Sequence, residues 1–174
     1  MPSQQGAQLS QMIREKIKEL KKVCEGLDEK TASRAPSGRW SPKQILSYLC
    51  GPEGVGFMPA IQVILKQDNP WLDIEAENPF FTETRSRMTL AELLTELEKE
   101  YGRMADVVTG LSEEQLARKV HIPLFKDTPM GEHLTLAVFV QALGEHHVRF
   151  HIDHMREILG ALDVDLVGTR GKTS

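Results

Sequence analysis

Cysteine is scarce in this chain. Cys24 and Cys50 are the two in 174 residues, too few for a disulfide framework and not spaced as Cys-x-x-Cys, which points to a reducing compartment. Long hydrophobic runs are missing as well: no stretch approaches the ~18–20 apolar residues of a membrane span. The N-terminal Met-Pro-Ser-Gln-Gln-Gly-Ala-Gln lacks the apolar segment of a signal peptide. Together these absences lead us to expect a cytoplasmic protein that makes no use of the membrane. Basic charge is not in excess either. Lys and Arg number 21 against 25 Asp and Glu, for a net charge of −4 and a pI near 5.9; with no aromatic-interleaved basic patch, nucleic acid is not expected as a partner. The Lys-rich stretch from Lys16 to Lys22 alternates with Glu15 and Glu19, as a solvated helix face does.

Several catalytic signatures are absent too. A ferritin-like di-iron bundle needs Glu-x-x-His on two helices, and none of the six histidines has a Glu three residues before it. The sequence contains no His-Glu-x-x-His, Gly-x-Ser-x-Gly, phosphate-loop or dinucleotide-binding motif.

What the chain does have is histidine in one place. Four of its six histidines fall between Gly144 and Ile158. Helical geometry sets residues three and four apart side by side, so His147 and His151 pair across one turn and His154 follows on the same face. Leu136, Val140, Leu143 and Ile158 extend that face, which is the stripe a bundle helix turns toward its partners. Glu145, His146, Arg149, Asp153 and Arg156 read as rim or solvent. Two imidazoles one turn apart can close on a single divalent ion at roughly 2.0–2.1 Å, and neutral imidazole suits Zn, Ni, Cu and Fe alike. The alternative is that the three histidines are core-edge side chains bonded to carbonyls or waters.

Taken in order, the chain reads as helices. Leu9, Met12, Ile13, Ile17, Leu20, Cys24 and Leu27 recur at threes and fours, which predicts a first helix over about Ala7 to Leu27. Asp28 to Arg39 is a loop with room for one short helical turn. Ser41, Pro42 and Gln44 spell a capping box that opens a second helix, interrupted at Cys50-Gly51-Pro52-Glu53-Gly54 and resuming through Phe57, Ile61, Ile64 and Leu65. Such an interruption can open space beside a pocket. Gln67 to Met88, with Pro70, Trp71, Pro79, Phe80 and Phe81, is a long connection expected to pack back over the bundle. Thr89 and Glu92 cap a third helix with the stripe Leu93, Leu94, Leu97, Tyr101, Met104 and Val108, ended by Gly110. A short helical turn follows at Ser112, Lys119 to Phe125 could be extended, and Asp127 to Gly131 is turn chemistry. The fourth helix is expected over about Thr135 to Leu159, with Gly160 as its stop.

Four amphipathic helices without a convincing run of strands argue an all-α four-helix bundle with a long connection between the second and third helices. The length suits one domain; we place it at residues 1–160, with a loose C-terminal tail over 161–174.

Trp40-Ser41-Pro42-Lys43-Gln44-Ile45-Leu46, a turn-rich stretch, and then His147-Val148-Arg149-Phe150-His151-Ile152-Asp153-His154-Met155 resemble, in that order and over nearly the whole chain, the DinB-like (YfiT-like) superfamily. The resemblance implies a four-helix bundle, often dimeric. It also implies a divalent metal, commonly Zn or Ni, held by one His of the second helix and a His-x-x-x-His pair of the fourth. The activities it implies include thiol-dependent S-transfer and some hydrolase or isomerase reactions. His147 and His151 match the pair, while His154 stands where the family usually has Gln. Tyr48 matches the second-helix His, and there the pattern breaks: a phenol has a reference pKa near 10 and is a poor neutral ligand. The site then recruits Tyr48 as phenolate, borrows Cys50, Glu53 or His154, or holds no metal.

Two main functions compete on these residues. One is a metal-dependent enzyme, a thiol-dependent S-transferase or a hydrolase, acting on a small molecule as a homodimer. The other is a metal-free bundle that binds a small molecule or a protein partner through Tyr48, His147, His151 and His154. A third, plainer reading makes the histidine stripe a dimer surface.

Overall fold

A computed structural model describes residues 1–74 and 78–170, with side chains through residue 163. Helix α1, Gln4–Val23, starts where the Ser3 side chain accepts the Gly6 amide and buries Leu9, Ile13, Ile17 and Leu20. The loop after it holds the short turn α2, Glu29–Ala32. Helix α3, Pro42–Cys50, begins at a complete capping box, with Ser41 Oγ accepting from the Gln44 amide and Gln44 returning the bond. It ends at Gly51, whose φ of 74° belongs to the left-handed region that favours glycine. After the break, α4, Met58–Lys66, resumes the helical pattern.

The connection carries α5, Glu83–Arg87, before α6, Leu90–Thr109, opens on the Thr89–Glu92 capping box and buries Leu93, Leu97, Tyr101, Met104 and Val108. A turn, α7, Glu113–Leu116, leads to a two-stranded antiparallel hairpin of β1, Lys119–His121, and β2, His133–Thr135. The last described element is one continuous helical rod: α8, Leu136–Gln141, a π-turn over Ala142–His146, and α9, His147–Arg170.

The bundle is formed by α1, α3, α6 and the last rod. Helix α1 packs on α6 and on the rod, and α3 packs on α6 and α9. Ile13, Leu20, Ile45, Leu46, Leu49, Leu93, Leu97, Met104, Val148, Ile152 and Met155 are fully buried between them, each contributing about 1.5–3 kcal/mol of transfer free energy. Among the described residues no helix is long and apolar enough to cross a membrane. The all-α bundle and the long connection agree with the sequence expectation.

Two expectations for the last helix do not hold. Gly160 is no stop: the helix runs through it to Arg170. Its φ is not left-handed, and Leu162, fully buried two residues on, holds the chain against the core. Residues 171–174 of the expected loose tail lie outside the described residues. The π-turn is the other difference. It inserts one residue into the turn before His147, which rotates everything after it by about 100°. The buried stripe therefore continues from Val140 through Gly144 to Val148, Ile152 and Met155. Leu143 and His147 fall to its edge.

Gly144 packs where α1 comes closest: a Cβ there would lie 2.6 Å from Ile13 Cγ1. Two polar anchors fix the rest. Glu29 accepts from the Leu90 amide at 2.8 Å and pairs with the buried Lys43 at 2.9 Å; the amide bond, with Lys43 behind it, holds its carboxyl below the usual range. Arg85, fully buried, donates from Nη1 to Ser47 O at 3.1 Å, to Phe80 O at 3.3 Å and to Gly51 O, and from Nη2 to Glu96 at 2.9 Å.

Replacing Arg85 by Met should cost about 3–5 kcal/mol, because it strands Glu96 and three carbonyls together; urea unfolding of the variant measures it. Gly144→Ala should cost about 1–3 kcal/mol by overpacking against Ile13, read in the same experiment.

Candidate functional site

Packing of α3 on α9 brings Tyr48 up to the histidines. Its ring meets His147 edge-on at 5.0 Å and His151 edge-on at 4.9 Å between centroids, and those two imidazoles lie 4.7 Å apart. Trp40, the residue before the α3 cap, packs edge-on against Tyr48 at 5.2 Å and lies parallel to His151 at 6.4 Å. His154 closes the group, its Nδ1 3.3 Å from His151 Nδ1. All four residues that the sequence singled out thus meet in one place. Cys50 and Glu53 do not join them. Cys50 is buried in the core with its thiol against the Leu93 carbonyl at 3.9 Å, and Glu53 is exposed in the turn after α3.

Two cavities meet at Tyr48 and His147. An open cleft of about 800 Å³ is walled by Trp40, Phe150, His151, His154 and the rim charges Arg39 and Glu157. On the other side lies an apolar cavity of about 300 Å³, lined by Phe57, Phe80, Leu124, Phe125, Phe139 and Leu143 among others. Phe80 lies parallel to Tyr48 at 6.2 Å and takes a left-handed φ of 49°, which the Asn78 side chain supports by accepting its amide at 2.8 Å. His146, expected to be rim, is exposed and also reaches this cavity.

Burial sets the protonation of the imidazoles. Desolvation lowers His147 to about 4, and desolvation followed by the neighbouring His147 and His154 lowers His151 to about 3. His154, less buried, is lowered mainly by desolvation, then by Arg39, with Glu157 opposing. At neutral pH His147 and His151 are unprotonated, as a metal ligand or general base must be. His147 Nδ1 is buried without a hydrogen-bond partner. These features fit a divalent ion held by two imidazoles. A third strong donor is not at hand: no trio of His, Cys, Asp or Glu ligand atoms at the cleft lies within 4.8 Å of one another among the described residues.

The trio that does meet that distance is His121, Glu132 and His133, which motif reading missed. No short spacing signals it, since the hairpin register alone sets His121 opposite His133. The extended reading of Lys119 to Phe125 was the one available hint.

Protonating buried neutral histidines disfavours the fold. Both native pKa values lie below the ordinary 6.5, so the unfolded chain binds more protons below pH 6.5, and stability is level above pH 7 and falls as pH drops from there toward 4. In chelator-treated protein, unfolding free energy should fall by about 2–4 kcal/mol between pH 8 and pH 5. The double variant His147→Gln/His151→Gln should show a clearly shallower slope in the same denaturation series.

No family model and no curated protein matches the sequence. Among solved structures the chain is similar to YfiT from Bacillus subtilis, a probable metal-dependent hydrolase with an unusual four-helix bundle topology. The TM-score is 0.71 and the identity 18%, over 92% of this chain and 90% of that one. It is also similar to an uncharacterized protein from Clostridium difficile 630, with a TM-score of 0.62 and 15% identity over 90% of this chain and 96% of that one. At such low identity the likeness is one of fold, and the fold of this chain is the YfiT-like four-helix bundle that its sequence resemblance implied.

Proposed function

We propose that the cleft at Tyr48, His147 and His151 is the active site of a metal-dependent enzyme acting on a small molecule, by hydrolysis or by transfer of a thiol. The observation that carries this reading is a pair of neutral imidazoles, one buried and one half-buried, 4.7 Å apart between centroids, the latter with an unpartnered buried nitrogen, at the meeting point of an open cleft and an apolar cavity. The fold shared with YfiT, a probable metal-dependent hydrolase, supports it. His147 and His151 would hold the ion; imidazole donors suit several divalent metals, and the family resemblance points to Zn or Ni among them. When bound, such an ion lowers the pKa of a water or thiol enough to make it a nucleophile at neutral pH.

The remaining work falls to side chains. His151 and His154 face each other through Nδ1, so one ring donates and the other accepts. With His151 donating, its Nε2 keeps the lone pair that a ligand needs, and His154 acts as the orienting partner. Trp40 and Tyr48 pack against the rings and restrict their rotation. Neither cysteine can serve as nucleophile, because burial pushes the Cys24 thiol up to about 11 and the Cys50 thiol to about 12. A thiol substrate would have to come from solution.

A second reading keeps the same cleft as a metal-free binding pocket. The missing third strong donor favours it, as does Tyr48, a residue better suited to hydrogen bonding than to ligation at pH 7.

Elemental analysis separates the two. Protein purified without an affinity tag, in a His133→Ala background that silences the hairpin cluster, should carry close to one equivalent of Zn or Ni. His147→Ala/His151→Ala should lower that at least tenfold. Metal-free protein in that background, with binding created by Tyr48→His, would establish the metal-free pocket instead.

A further inference from the structure

A second set of ligating side chains sits on the hairpin, outside the cleft. Residues directly opposite on an antiparallel pair project from the same face, and the register pairs His121 with His133. Their rings stack at 4.2 Å with 18° between planes. Glu132, just before β2, is fixed by its own carbonyl, which accepts the Ile122 amide at 2.7 Å. Its two oxygens lie 3.7 Å from His121 Nε2 and 3.8 Å from His133 Nε2. A charge-assisted hydrogen bond would close to about 2.7–2.9 Å. Neither contact does. The carboxylate instead stands almost equally far from both rings, and all three ligand atoms fit within 4.8 Å.

His121 Nε2 makes the case more pointed, since it is buried and has no hydrogen-bond partner. Its backbone is fixed on both sides. Its amide donates to Pro70 O and its carbonyl accepts from the Leu72 amide, both at 2.9 Å, so it is locked between that strand-like segment and β2. An ion with bonds of roughly 2.0–2.2 Å needs donor atoms about 3–4 Å apart, which asks each side chain to close in by no more than about an ångström.

We infer that His121, Glu132 and His133 form a second site for a divalent transition metal, separate from the helical cleft. Two imidazoles and one carboxylate suit Zn, Co, Ni or Fe(II) and leave positions open for water; Mg and Ca prefer oxygen donors. Bound there, the ion ties the base of the 122–132 loop, whose Leu124, Phe125 and Met130 wall the apolar cavity.

The two tryptophans of the chain read the two sites separately. Trp71 lies 4.5 Å from His121, whereas Trp40 lies 6.4 Å from His151 and 6.1 Å from His154. In Trp40→Phe, titration with Co²⁺ should quench Trp71 fluorescence with saturation at one equivalent. Adding His133→Ala, a change at a half-exposed side chain, should weaken that binding at least tenfold, as should Glu132→Gln, whereas adding His147→Ala/His151→Ala should leave it unchanged. Quenching that never saturates, or that persists equally in the His133→Ala and Glu132→Gln backgrounds, would overturn the site. The reciprocal Trp71→Phe protein follows Trp40 under the same titration, so failure of the helical cleft to bind is seen independently.

Discussion

One extra residue in the last helix determines where its histidines stand. Without the π-turn the stripe Leu136, Val140, Leu143 and His147 would run straight into the core, and a buried imidazole would have to find a polar partner among leucines. With it, Gly144 takes the buried place and Val148, Ile152 and Met155 carry the packing. His147, His151 and His154 are left along the seam with α3, where a cleft can reach them. The turn depends in its own way on Gly144, since any side chain there meets Ile13. Bundle packing and site geometry are thus set by the same four or five residues, and a helix irregularity of this kind is a common mark of functional positions.

The opposite wall of the site is held by charge. Arg85 gathers the carbonyls of Ser47, Gly51 and Phe80 around one guanidinium and meets Glu96 of α6. Those carbonyls belong to the last turn of α3, the glycine that ends it, and the aromatic connection lying over Tyr48. A buried cation is costly unless its donors are used, and here both Nη atoms are, although Nε has no partner; their bonds tie the connection at Phe80 to the end of α3 and to α6. Phe80 can hold a left-handed backbone only because its neighbours over-determine it: Asn78 takes its amide and Arg85 its carbonyl. The aromatic floor beside Tyr48 is therefore a product of the Arg85 cluster as much as of hydrophobic contact.

How much of this could be read from the residues follows from the range of each signal. Capping boxes at Ser41–Gln44 and Thr89–Glu92 and the 3.6-residue stripes are local, and they placed the starts of α3 and α6. His147 and His151 were visible because one turn of helix is a short-range motif, and Tyr48 because a resemblance supplied its alignment. Arg85 left no mark, being one arginine in a five-residue helix within the long connection, with partners 5 to 38 residues away. Gly160 misled, because a glycine permits a helix to stop without enforcing it: its backbone stays right-handed, and burial of Leu162 carries the helix on. His121, Glu132 and His133 depend on a strand register that no pattern of apolar residues specified in so short a hairpin.

Tyr48 and His147 are shared by the open cleft and the apolar cavity, and that sharing constrains what the site can accept. A ligand seated with an apolar group among Phe57, Phe80 and Phe139 loses water from that group, while its polar end emerges beside imidazoles that burial keeps uncharged. Charged ligands would gain little from neutral histidines, so under the proposed function discrimination would come from shape and hydrogen bonding on the apolar side and from Arg39 and Glu157 at the rim. The loop whose Leu124, Phe125 and Met130 close the apolar cavity springs from the hairpin that carries His121 and His133. Order in that hairpin therefore bears directly on the volume left for an apolar group beside His147.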